Sequence, residues 1–146
     1  MAEPARATTG ADQRYWQALA AGGLELPRCQ GCGRWHWPAV WRCGDCGSWN
    51  HEWLAVPRTG SVFTWTRTWH PFGGLEGIAR PFVTVVVALD GADHTRLVGI
   101  LEGDEGGVAI GAPVMGHIGE TTFAGQAIPA LRWRLASPFA STGKDD

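Results

Sequence analysis

Lysine is nearly missing from this 146-residue chain: there is one, against eleven arginines. The arginines are scattered and the net charge is −2. That excludes the basic stripe with which a protein grips duplex nucleic acid. No apolar run reaches the roughly 20 residues of a membrane helix, and no membrane association is expected. MAEPARATTG at the start lacks a basic stretch leading into an apolar core, so no secretory signal is read there. The cytoplasm is the expected location. There is no Gly-rich loop of the Walker or Rossmann kind; GGLEG and EGDEGG read as turns. His70, His94 and His117 have no Ser, Cys or Asp partner at a motif spacing, so no catalytic constellation is legible. No internal repeat is visible.

Present instead are 45% hydrophobic and 18% charged residues, the balance of a globular chain. Nine tryptophans are a heavy load, concentrated between Trp35 and Trp69. Rings of that size fill the core of a short, strand-rich chain and can also serve as binding platforms.

Residues 1–11 read as a loose leader and 12–23 as a short helix. Asp12 is the expected N-cap, and Tyr15, Trp16, Leu19 and Ala20 the apolar face. Gly22 and Gly23 end it. A helix so short must dock on something. Residues 24–57 form a metal-knuckle segment. From 58 to 136 the texture is that of strands. GSVFTWTRTW alternates, placing Val62, Thr64, Thr66 and Thr68 on one side and Phe63, Trp65, Arg67 and Trp69 on the other. HPFGGLEGIARP is a loop. FVTVVVALD is a β-branched run suited to a buried strand, DGAD a turn and TRLVGIL its returning strand. APVMGHIGE and PALRWRLA follow; in the latter Leu131, Trp133 and Leu135 oppose Arg132 and Arg134. Residues 137–146 read as a polar tail. About five short strands with Gly-rich corners predict a mainly β chain built on a small closed barrel of the OB type, with an SH3-like barrel or small sandwich as the alternative.

All four cysteines lie in CQGCGRWHWPAVWRCGDCG, residues 29–47, and each Cys-x-x-Cys pair is followed by glycine. Such a turn sets two thiolates a tetrahedral edge apart, and glycine lets the backbone bend so that amides point at sulfur. Cys29, Cys32, Cys43 and Cys46 together make a complete four-thiolate zinc shell, structural because no position is left for water or substrate. Two alternatives stay open on sequence: iron in the same ligands, and a redox disulfide, which matched pairs suit poorly. His36 and His51 are not needed as ligands.

The ordered motifs YWQAL, GGLELPRCQGCGRWHWP, CGDCGSWNHEWLAVPRTGSVFTWT, RPFVTVVVALD, RLVGIL and IGAPV resemble the DUF35 family from about Tyr15 to Leu135. Gly44 stands where the family often has proline, and DGADHT is longer than the usual turn. The resemblance implies a short helix, a rubredoxin-like zinc ribbon and a C-terminal OB-fold. It also implies a non-catalytic subunit of a thiolase-fold or lipid-transfer-protein-like enzyme that acts on an acyl-CoA ester. The best-fitting reaction is retro-aldol cleavage of a steroid side chain. The candidate contacts with CoA phosphates are Arg67, Arg80, Arg132 and Arg134. The candidate partner surface is Trp16, Trp35, Trp37 and Trp41. A single-stranded nucleic-acid binder, using stacked tryptophans, is the competing reading, and the acidic balance argues against it. A rubredoxin-like electron carrier is a third.

Overall fold

The computed structural model describes residues 10–70, 72–73 and 77–136. The expected polar tail, most of the leader and part of the loop after Trp69 lie outside them. Helix α1 (Gln13–Ala20) comes first, then β1 (Glu25–Cys29) and β2 (His51–Ala55), and then five longer strands. These are β3 (Thr59–Thr68), β4 (Phe82–Leu89), β5 (Arg96–Leu101), β6 (Pro113–Phe123) and β7 (Gln126–Leu135). No helix among the described residues is long and apolar enough to cross a membrane.

The helix buries Tyr15, Ala18 and Leu19. Ala20, expected on that face, is exposed, and Ala18 is buried instead, because the buried arc is rotated around the helix. Asp12 makes no side-chain cap bond; its carboxylate accepts from Trp16 Nε1 at 2.9 Å, fixing the indole instead of the helix end. Gly22, at φ +93°, ends the helix. Its N–H reaches Leu19 O, and the Gly23 N–H reaches Ala18 O at 2.9 Å.

Strands β1 and β2 pair antiparallel from Glu25↔Ala55 to Cys29↔His51 and form the stem of the ribbon. Beyond them β3-β4-β5-β7-β6 close into a barrel, with β3 returning to β6. The third barrel strand runs parallel to the fifth, the arrangement of an OB-fold. Pairing is uneven. The β6–β7 hairpin is continuous from Val114↔Leu135 to Phe123↔Gln126. The β5–β7 seam holds only Ile100↔Arg132 and Leu101↔Trp133. The β3–β6 seam holds Thr59↔Met115, Gly60↔Val114 and Ser61↔Pro113.

Alternation in β3 breaks where it was expected to hold. A bulge between Val62 and Thr64 shifts the register. Val62 stands opposite Val87, but Trp65 and Arg67 stand opposite Val85 and Val83, all three valines being fully buried. The inward set is therefore Val62, Trp65 and Arg67, and the outward one includes Thr64 and Thr66, because one extra residue flips every later side chain.

Trp133 plugs the barrel and is wholly buried. It fits because two glycines face it. A Cβ on Gly99 would lie 2.8 Å from its Cδ1, and one on Gly116 would lie 3.0 Å from its Cζ3. Leu19, Leu24, Leu26 and Val56 from the helix and ribbon share one apolar cluster with the barrel's Val62, Val83, Val85, Val87 and Trp133. The small ribbon thus borrows the barrel's core instead of building its own.

Candidate metal centre

The first knuckle begins at the end of β1. Cys29 N–H donates to Arg34 O at 2.8 Å, and Gly33 N–H to Cys29 O at 2.9 Å. The second repeats both bonds, Cys43 N–H to Ser48 O and Gly47 N–H to Cys43 O, at 2.8 and 2.9 Å. Gly33 and Gly47 both sit at φ +80°, where a side chain would be strained. The match extends outward. Arg28 Nε donates to Gly33 O at 2.9 Å and Arg42 Nε to Gly47 O at 3.0 Å. Each guanidinium also lies over an indole, Arg28 on Trp35 at 5.7 Å and Arg42 on Trp49 at 5.9 Å. RCQGCGRW and RCGDCGSW are therefore two copies of one R-C-x-x-C-G-x-W unit. The sequence does contain an internal repeat, too short to stand out until the outer arginine and tryptophan are seen to be structural.

The two copies bring four sulfurs within 4.8 Å of one another. Cys29 Sγ lies 3.5 Å from Cys46 Sγ, and Cys32 Sγ 3.7 Å from Cys43 Sγ. A zinc–sulfur bond of about 2.3 Å gives a tetrahedral edge of about 3.8 Å, so the donor set fits zinc. Backbone amides stabilise the thiolates. The Cys32 amide, more than any other group, pulls Cys29 down to about 6, with help from Gly31 N–H at 3.3 Å. Cys43 is lowered in the same way, first by the Cys46 amide. His36 and His51 meet edge to face with centroids 5.5 Å apart, and His51 Nε2 lies 3.1 Å from Trp41 O. They pack the inter-knuckle loop against the stem.

The arginines singled out on sequence separate into different environments. Arg67 is half-buried at one end of the barrel and pairs with Glu105 at 2.8 Å. Arg132, expected on an open face, is only 8% exposed. Its Nη2 donates to Glu120 O and Thr121 Oγ1, both at 3.1 Å. Arg132, Arg134 and His117 surround Glu102 at 3.5, 3.7 and 2.9 Å. Arg80 is exposed in the loop before β4. Only Arg80 and Arg134 keep mostly open guanidinium groups.

The model of the ChsH2 rubredoxin-like zinc ribbon domain matches residues 16–52. That of the ChsH2 C-terminal OB-fold domain matches residues 53–117. The chain belongs to the DUF35 family. As a DUF35 protein with a zinc ribbon it carries zinc as its metal. Among solved structures it resembles a chain of the Ltp2-ChsH2(DUF35) aldolase, with 25% identity and a TM-score of 0.77. That likeness covers 92% of this chain and 100% of the other. A DUF35 protein of unknown function from Sulfolobus solfataricus shares the fold, at 20% identity and a TM-score of 0.59 over 88% of this chain and 87% of that one. No curated protein matches.

The DUF35 tryptophans divide sharply. Trp16, Trp35, Trp37, Trp53 and Trp65 are partly buried against the core. Trp37 lies 4.2 Å from the Tyr15 ring. Of the four residues expected at a partner surface, Trp41 alone is largely open, at 63% exposure. Sequence reasoning passed over Trp49, Trp69 and Phe72, which are equally open. It also missed an outward barrel face, the rows Thr64–Val86–Val98 and Thr66–Thr84–Ile100, which carries no charge. The flipped register after the bulge is what assembles those rows, and the alternation pattern gave no sign of it.

Proposed function

We propose that this protein is the non-catalytic DUF35 subunit of a lyase that cleaves an acyl-CoA ester by retro-aldol chemistry. Its partner would be a thiolase-fold, lipid-transfer-protein-like enzyme, and the substrate a steroid side-chain CoA ester. The observation that carries this reading is the 25% identity to a chain of the Ltp2-ChsH2(DUF35) aldolase, sustained over the whole of that chain. In this assignment Cys29, Cys32, Cys43 and Cys46 hold a structural zinc that fixes the ribbon, and the partner supplies the reacting groups. The uncharged rows Thr64–Val86–Val98 and Thr66–Thr84–Ile100 support it, since depletion of charge marks an interface core. Arg80 and Arg134, the open guanidinium groups, are the arginines best placed to meet CoA phosphates.

The same face counts against the nucleic-acid reading. An OB-fold that stacks bases presents aromatic rings on its second and third strands. Here the outward positions are Phe82, Thr84, Val86, Ala88, Arg96, Val98 and Ile100, of which only Phe82 is aromatic, and it is buried. The test is co-expression with the lipid-transfer-protein-like enzyme of the same genome. A stable complex whose retro-aldol turnover on a steroid side-chain CoA ester depends on this chain is expected. Full turnover by the enzyme without it would overturn the reading.

A further inference from the structure

The two knuckle copies are built alike but are not covered alike. In the first, Trp35 is packed against the apolar core. Arg28 there has a carboxylate opposite it across the ladder, Glu52. In the second, Trp49 is 67% exposed, and Trp41, next to Arg42 in sequence, is 63% exposed. Arg42 has no carboxylate partner among the described residues; it is bound only to Gly47 O and the Trp49 ring. The first unit's tryptophan is thus covered inside the chain, and an acid faces its arginine across the ladder without closing an ion pair; the twin's tryptophan is open.

We propose that the second knuckle, through Trp41, Arg42 and Trp49, is a docking surface for a partner protein that offers an apolar hollow rimmed by a carboxylate. The first knuckle shows the apolar cover the tryptophan takes, and the Arg42 guanidinium, with no carboxylate partner among the described residues, is the reason for the acid. Braced on its knuckle and stacked on Trp49, Arg42 is already ordered, so little rotamer freedom is lost when an acid meets it. Exposed Trp and Arg side by side are the residue types that dominate interface energies. A second copy of this chain fits less well, because a two-fold contact sets the same patch against itself and faces Arg42 with Arg42.

The inference rests on the subunit reading above, and its test separates the two. The full chain is co-purified with the lipid-transfer-protein-like enzyme of the same genome, as wild type, Trp49→Ser and Arg42→Gln. Zinc content is measured on each to show that the knuckle is intact. The expected result is tenfold or greater weakening of the complex in both variants with zinc unchanged. Recovery by Arg42→Lys, which restores the charge, is expected to be partial. A wild-type complex that neither variant weakens overturns the docking surface and leaves the subunit reading standing. No complex with the wild type overturns both. A dimer of the chain alone that Trp49→Ser dissolves overturns the choice of partner in favour of a second copy.

Discussion

Four thiols near one point must lose their protons to hold zinc, and the amides of Cys32 and Gly31 at Cys29 Sγ begin that work before any metal arrives. The Cys29 value, lowered to about 6, lies below the ordinary thiol range. A lowered value favours the folded ribbon fully above that range, and the benefit is lost as pH falls through about 6. Metal competes with the same protons. Zinc should therefore be held at neutral pH and released on acidification, as read with a chromogenic chelator. Zinc retention that does not change with pH would contradict the competition with protons. Replacing Cys29 or Cys43 by serine should cost metal and solubility together, because structural zinc binding is folding free energy. A variant that folds normally and loses only activity would show that the cluster is not a clamp. The clustering of the four cysteines was readable from spacing alone. The arginine and tryptophan that complete each knuckle were not, because their roles appear only when hydrogen bonds and ring contacts are seen in both copies.

Among the elements, β3 shows where pattern reading stops. Its apolar content and strand character were plain in GSVFTWTRTW, and so were the turns on either side of β4. The bulge was not, since an extra residue leaves no mark on composition. It reversed the faces of Trp65 and Arg67. Arg132 was misjudged for a related reason: alternation puts it on the outward face, but neighbouring β6 supplies Glu120 and Thr121 to bury it. Gly60 opens the family-like G-x-V-x-T-x-T stretch, and its role is close approach. A Cβ there would fall 2.3 Å from the Ala88 carbonyl oxygen on β4. Gly60→Ala should destabilise by about 3 kcal/mol, the upper end for overpacking, measured by urea unfolding. A change under about 0.5 kcal/mol would mean that β3 and β4 separate easily at that crossing.

At the scale of the whole molecule, helix, ribbon and barrel share one core. Chelating the zinc should then lower the melting temperature of the entire chain, by on the order of 10 °C for a site held at a thousandfold excess over its Kd. Calorimetry should show one transition with and without metal. Two separated transitions would mean that the ribbon melts by itself. Trp133 is the centre of that core, and Trp133→Ala should cost about 3–5 kcal/mol. Trp133→Phe should cost less, since it keeps most of the ring and removes an indole N–H that has no partner.

The uneven pairing of the barrel bears on how it breathes. A meander of β3, β4 and β5 and a hairpin of β6 and β7 meet along only two short seams. Each half is internally well bonded, so the cheapest excursion from the native state swings the hairpin away with both halves intact. Backbone amides along Ile100–Leu101 and Gly60–Ser61 should then exchange with deuterium together, ahead of those deep in the hairpin. The barrel would behave as a hinged clasp, with Trp133, carried on the hairpin, as the catch that leaves its socket whenever the clasp opens.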